Sequence, residues 1–103
     1  MQRLTIVRYV TKPEAAAENE RLSRAVFDQI RAEVPQGVAY GLFRSGDEFI
    51  HLFINLAEDS ADSVTEMSSF HAYQADLASR CATRPDITRL SVEMIDSYGI
   101  GTD

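Results

Sequence analysis

The chain has 103 residues, 45% hydrophobic and 25% charged, with 5 Gly and 3 Pro, which is the make-up of one globular domain spanning 1–103. Its formal net charge of −6 argues against nucleic acid or an anionic membrane as a partner, because both demand a basic footprint. The single cysteine, Cys81, excludes an internal disulfide and a thiolate metal cluster, and no apolar run approaches the roughly 20 residues of a spanning helix.

The N-terminus, MQRLTIVRYV, enters a strand pattern directly and lacks the small-residue cleavage site of a signal peptide. A cytoplasmic location is therefore expected. Leu4–Thr11 is β-rich and apolar on both alternations, with Arg8 the one charge inside it. Thr11 and Glu14 have capping-box spacing, and Pro13 suits a first helical turn, where its missing N–H is not needed. From Glu14 to about Val34, the positions Leu22, Val26, Phe27, Ile30 and Val34 follow a 3.6-residue period. Glu20 with Arg24, and Arg24 with Asp28, are i,i+4 pairs that keep the far side of this helix wet. Pro35-Gln36-Gly37 ends it.

Val38–Leu56, VAYGLFRSGDEFIHLFINL, reads as a hairpin about which the rest of the chain is arranged. Gly46-Asp47 suits a tight II′ turn, since Gly46 takes a positive φ at no steric cost. Ser45 then faces Glu48, and a four-residue loop over Ser45–Glu48 would keep the same register. One face pairs Arg44 with Phe49, Leu42 with His51, Tyr40 with Phe53 and Val38 with Asn55. The other pairs Phe43 with Ile50, Gly41 with Leu52 and Ala39 with Ile54. The first is aromatic with polar groups interleaved; the second is aliphatic, with small residues opposite. Both are largely apolar, so both need a cover.

An acidic loop follows, with Glu58, Asp59, Asp62 and Glu66 close together. Its spacing does not match an EF-hand, and acidic residues ahead of a helix stabilise its N-terminus, so no metal site is expected. Ser63 with Glu66 has capping-box spacing and Ser69 offers a later start, so the second helix begins between Val64 and Phe70. Met67, Phe70, Tyr73, Leu77 and Cys81 form its apolar stripe, and it ends near Arg80–Thr83. Cys81 on that stripe is a poor nucleophile, because apolar surroundings raise a thiol pKa. Thr88–Ile95 is the last strand, and the tail 96–103 carries Tyr98.

The order β-α-β-β-α-β predicts an α+β, ferredoxin-like antiparallel sheet with both helices on one face. The helices cover one face of the hairpin, and a second copy of the sheet is the simplest cover for the other, giving a homodimer. Ala39 and Gly41 permit close helix approach, so the aliphatic face is expected under the helices and the aromatic face with His51 between subunits.

Element order, length, the double-faced hairpin and the SSFHAYQADL helix resemble the small dimeric α+β barrels of the antibiotic-biosynthesis-monooxygenase type, over about Leu4 to Tyr98. The resemblance implies a cofactor-independent oxygenase of small aromatic or polyketide-like compounds. The alternative is a non-catalytic binding or accessory domain on the same fold. The haem-degrading members rely on a tryptophan beside a helical histidine; this chain has no Trp, and no cofactor is expected.

His51 is the first candidate for catalysis, as a base beside Tyr40, Phe53 and Asn55; the alternative is a histidine satisfied by a hydrogen bond in an interface. His71, beside Phe70 at the edge of the second helix's stripe, is a second candidate base or a rim histidine. Arg8 suits a substrate carboxylate or phenolate, or an ion pair across an interface. Tyr40, Tyr73 and Tyr98 can donate to a bound oxyanion, and Phe53, Asn55 and Phe70 complete the expected substrate-binding set. No Gly-rich phosphate loop or Ser/His/Asp arrangement is visible.

Overall fold

The structure, a computed structural model, describes residues 2–57 and 62–100. Four strands form one sheet in the order β2-β3-β1-β4: β1 Gln2–Val10, β2 Val38–Ser45, β3 Glu48–Asn55 and β4 Asp86–Val92. All three pairings are antiparallel. The link from β1 to β2 runs through a 3-10 turn, Pro13–Ala15, and helix α1, Ala16–Glu33. The link from β3 to β4 runs through α2, Ser68–Ala75, and α3, Leu77–Arg80. Each link skips one strand position, which the other half of the chain fills. This is the α+β, ferredoxin-like fold expected from the element order. No helix among the described residues is long and apolar enough to cross a membrane.

The hairpin has the predicted register in full, from Ser45 opposite Glu48 to Val38 opposite Asn55. Gly46 has φ 62° and Asp47 a negative φ, as a II′ turn requires.

The faces are assigned the other way round from expectation. Tyr9, Phe49, Val26, Val64 and Tyr73 are the buried core, and His51 and Asn55 are buried with them. The aromatic face therefore lies under the helices. The aliphatic face is open: Leu4 opposite Ile54 and Leu90, Ile6 opposite Leu52, and Phe43 opposite Ile50. Phe43 is 56% exposed there, with its ring over Gly41. The reason is polar satisfaction. The helices bring Asn19, which bonds Tyr9, and Tyr73, which bonds His51, with Arg80 behind them holding Asn19, while the middle of the open face is aliphatic and has no such partners for them.

Local helix signals also differ from expectation. Neither helical start uses a side-chain cap, and the turn at Pro13 is 3-10 instead of α. The first turn of α2 is satisfied from the neighbouring helix: Gln29 Oε1 accepts the Ser69 N–H at 2.9 Å and the Ser69 hydroxyl at 2.5 Å. A break at Asp76 separates α2 from α3, and β4 ends at Val92 instead of Ile95. Glu58 and Asp59 of the acidic loop lie outside the described residues.

Helix α1 ends on Val34 in the left-handed region, φ 47°, with its N–H donated to the Ile30 carbonyl at 2.8 Å. A β-branched residue is strained there, and Val34 is 64% exposed, so little burial is at stake. Val34→Gly is expected to raise the unfolding free energy by about 0.5–1 kcal/mol, the relief of strain less the added entropy of the unfolded chain. A urea midpoint shifted downwards in the variant would contradict this.

Candidate functional site

His51 sits at mid-strand in β3, directly across from Val7 on β1 and Leu42 on β2. Strand alternation points it at the helices, where it is 5% exposed. Three phenols surround the imidazole. Nδ1 lies 2.5 Å from the Tyr40 hydroxyl, and Nε2 lies 2.9 Å from that of Tyr9 and 3.1 Å from that of Tyr73. The Tyr9 and Tyr73 hydroxyls are 2.5 Å apart. A neutral imidazole has one N–H donor and one acceptor, so either tautomer finds a phenol at each nitrogen.

Behind this cluster stands a second tier. Asn19 Nδ2 donates to the Tyr9 hydroxyl at 3.0 Å, and Arg80 Nε donates to Asn19 Oδ1 at 3.0 Å. Arg80 Nη2 also donates to the Tyr73 carbonyl, and the guanidinium lies 5.5 Å from the centroid of the Tyr73 ring. Arg80 is 6% exposed, yet none of these partners is a carboxylate. Its bond to Asn19 orients the amide so that a donor, not the carbonyl, faces Tyr9. The Tyr9 hydroxyl, accepting from Asn19, is then left to give its own proton to Tyr73 or His51.

Burial governs the protonation of the cluster. It pushes the His51 imidazole down to about 4, so the free base persists at neutral pH. It also raises the Tyr9, Tyr40 and Tyr73 hydroxyls above the ordinary phenol value of 10.0, so all three stay proton donors. Above about pH 6.5, His51 is neutral in folded and unfolded chains alike. Between about 6.5 and 4, the unfolded chain binds a proton that the folded protein refuses, so stability falls as the pH drops through that window. The contribution lost is roughly 3 kcal/mol. His51→Gln should therefore flatten the pH dependence of urea unfolding between those values, and profiles parallel to the parent's would contradict the assignment.

Beside the cluster, a cavity of about 460 Å³ opens between α2, α3 and the sheet. His51, Tyr40 and Tyr73 stand in its wall together with Phe53, Asn55 and Phe70. This volume lies within the range of small-molecule sites.

No family model matches the chain, and no curated protein matches it significantly. Solved structures do match. A Mycobacterium tuberculosis protein superposes with a TM-score of 0.79 at 20% identity, over 94% of this chain and 100% of that one. A presumed antibiotic biosynthesis monooxygenase of Caulobacter crescentus gives 0.75 at 23% identity, over 89% of this chain and 91% of its own. Another, from Nitrosomonas europaea, gives 0.75 at 14% identity, over 97% and 94%. The chain has the fold of the antibiotic-biosynthesis-monooxygenase-like proteins.

Within this monooxygenase-like fold, six of the residues singled out from the sequence meet in one cavity: Tyr40, His51, Phe53, Asn55, Phe70 and Tyr73. Two others do not. His71 is exposed on α2, one residue past Phe70 and outside the cavity lining, because the helical turn carries it away from the sheet. Arg8 has the even parity of β1 and projects from the open sheet face, where it pairs with Glu48 at 2.9 Å. Tyr98 is 97% exposed in the tail. Cys81 packs against the core, and burial raises its thiol pKa.

Sequence reasoning missed Tyr9, Asn19 and Arg80. A polar Asn19 set on the apolar stripe of α1 and an arginine seven residues beyond Tyr73 were the available signals. Arg3 and Arg89, which also line the cavity, were missed as well; they share its side of the sheet with Val7 and Tyr9 by alternation.

Proposed function

We propose that this protein is a cofactor-independent monooxygenase acting on a small aromatic or polyketide-like phenol or enol bound in the helix–sheet cavity. One observation carries the reading: a buried, neutral imidazole stands in the wall of an aromatic-sided cavity, with a phenol hydroxyl hydrogen-bonded at each ring nitrogen. A substrate hydroxyl or activated methylene that replaces one phenol at the ring loses its proton to His51. The substrate anion that results is stabilised by the remaining phenol O–H groups and, through Asn19 and Tyr9, by the buried Arg80 cation. This electron-rich carbanion gives one electron to dioxygen, and the radical pair joins as a carbon-bound peroxide anion. The His51 imidazolium returns its proton to that peroxide. Loss of the second carbon-bound hydrogen with the terminal hydroxide then gives a carbonyl and water, so that CH2 plus O2 becomes C=O plus H2O. Oxygen uptake with a panel of anthrone- and quinol-type compounds tests the proposal. Uptake no faster than in buffer across the panel would count against it.

A second reading is favoured by the same hydrogen bonds: both imidazole nitrogens are already engaged without a ligand, as in a site that binds without reacting. That protein would be stabilised thermally by the same compounds and would consume no oxygen.

The open sheet face supports a homodimer. Val10, Phe43 and Leu90 are each more than a third exposed on it, beside Ile6 and Leu52, and a second copy covers such a face by symmetry.

A further inference from the structure

We infer that the ligand of the helix–sheet cavity is an organic acid, an aromatic or enolic compound whose carboxylate is held by Arg3 and Arg89. The inference rests on reading that cavity as the ligand site and does not depend on turnover. Arg3 on β1 stands opposite Ser91, and Arg89 on β4 stands opposite Thr5, so the two are diagonal neighbours on the helix-covered side of the sheet. Both line the cavity that holds His51 and Tyr73. Two guanidinium groups so placed repel one another unless an anion lies between them.

The chain carries 16 acidic side chains against 10 basic ones, so partners for a cation are plentiful. None of the ion pairs among the described residues includes Arg3 or Arg89. Asp62, the carboxylate among the described residues of the cavity lining, pairs with neither. Arg3 Nε is buried and has no hydrogen-bond partner. A buried guanidinium N–H without an acceptor is costly, and its planar fork matches a carboxylate with two parallel bonds. The same cavity offers phenol donors to a hydroxyl or enol and the rings of Phe53 and Phe70 to an aromatic system. One small molecule with an acid group and an acidic hydroxyl satisfies both sets.

The probes are 1-hydroxy-2-naphthoate and its methyl ester, titrated separately by calorimetry into the intact protein. The acid is expected to bind about 10- to 100-fold more tightly than the ester. Arg3→Gln and Arg89→Gln are each expected to remove most of that preference while changing ester affinity far less, and Asp62→Asn to strengthen binding of the acid. Arg89 is exposed, so its variant reports even if Arg3→Gln fails to fold. Equal affinity for acid and ester, or arginine variants that weaken both alike, overturns the acid preference alone. Failure of both probes to bind overturns the inference together with the ligand-site reading, whatever the oxygen uptake.

Discussion

His51→Gln is expected to lower oxygen uptake on a turned-over anthrone- or quinol-type compound by about 10²–10⁴-fold, the usual contribution of a positioned general base. Glutamine keeps a polar group among the three phenols, so the loss is one of proton acceptance and not of packing. Binding of the same compound should change far less, so kcat falls and KM holds. A base whose conjugate acid sits near 4 through burial looks weak. The substrate anion corrects this, because its negative charge beside the imidazolium raises that value once the proton has moved. Tyr40→Phe removes the hydroxyl at Nδ1 and spares Nε2, so it should slow the reaction by less than His51→Gln. Uptake unchanged in the His51 variant would remove the histidine from the chemistry and leave the cavity as a binding site.

Leu52→Asp is expected to convert a dimer into a monomer or an unfolded chain. Leu52 stands at the middle of the open face, between Gly41 on β2 and Ile6 on β1. Burying large apolar side chains contributes about 1.5–3 kcal/mol each, against a total stability of about 5–15 kcal/mol for such a domain. An unpaired carboxylate at the centre of that contact costs about 3–5 kcal/mol, which weakens association by about 10²–10⁴-fold. Light scattering at micromolar concentration should give twice the chain mass for the parent protein and a single mass for a folded variant. The thermal midpoint of the parent should rise with concentration, as for any folded state stabilised by association. A parent protein that is monomeric, with a midpoint independent of concentration, would refute the homodimer.

The hairpin was legible because its determinants are local. Gly46-Asp47 sets the turn, the turn sets the register, and period-two alternation then sorts Tyr40, His51, Phe53 and Asn55 onto one face without further information. Tyr73 and Phe70 were legible in the same way, from helical spacing.

Which face the helices take was decided only in three dimensions. Both faces of β1 and β3 are rich in apolar side chains, so hydrophobicity barely separates them. The choice turns on hydrogen bonds between residues far apart in the chain: Tyr73 to Tyr9 across 64 positions, Tyr73 to His51 across 22, and Arg80 to Asn19 behind them across 61. Residue identity shows that Asn19 and Arg80 carry donors, but only the packing of α1 and α3 on the sheet brings the Asn19 amide to the Tyr9 phenol and Arg80 to Asn19. The same holds for Arg3 and Arg89, ordinary strand residues until two antiparallel strands set them diagonally on the wall of one cavity. Periodicity is a property of neighbours in sequence, and it determined the elements and their faces. The site is a property of polar groups that must each find a partner once buried, and that condition exists only after the chain has folded.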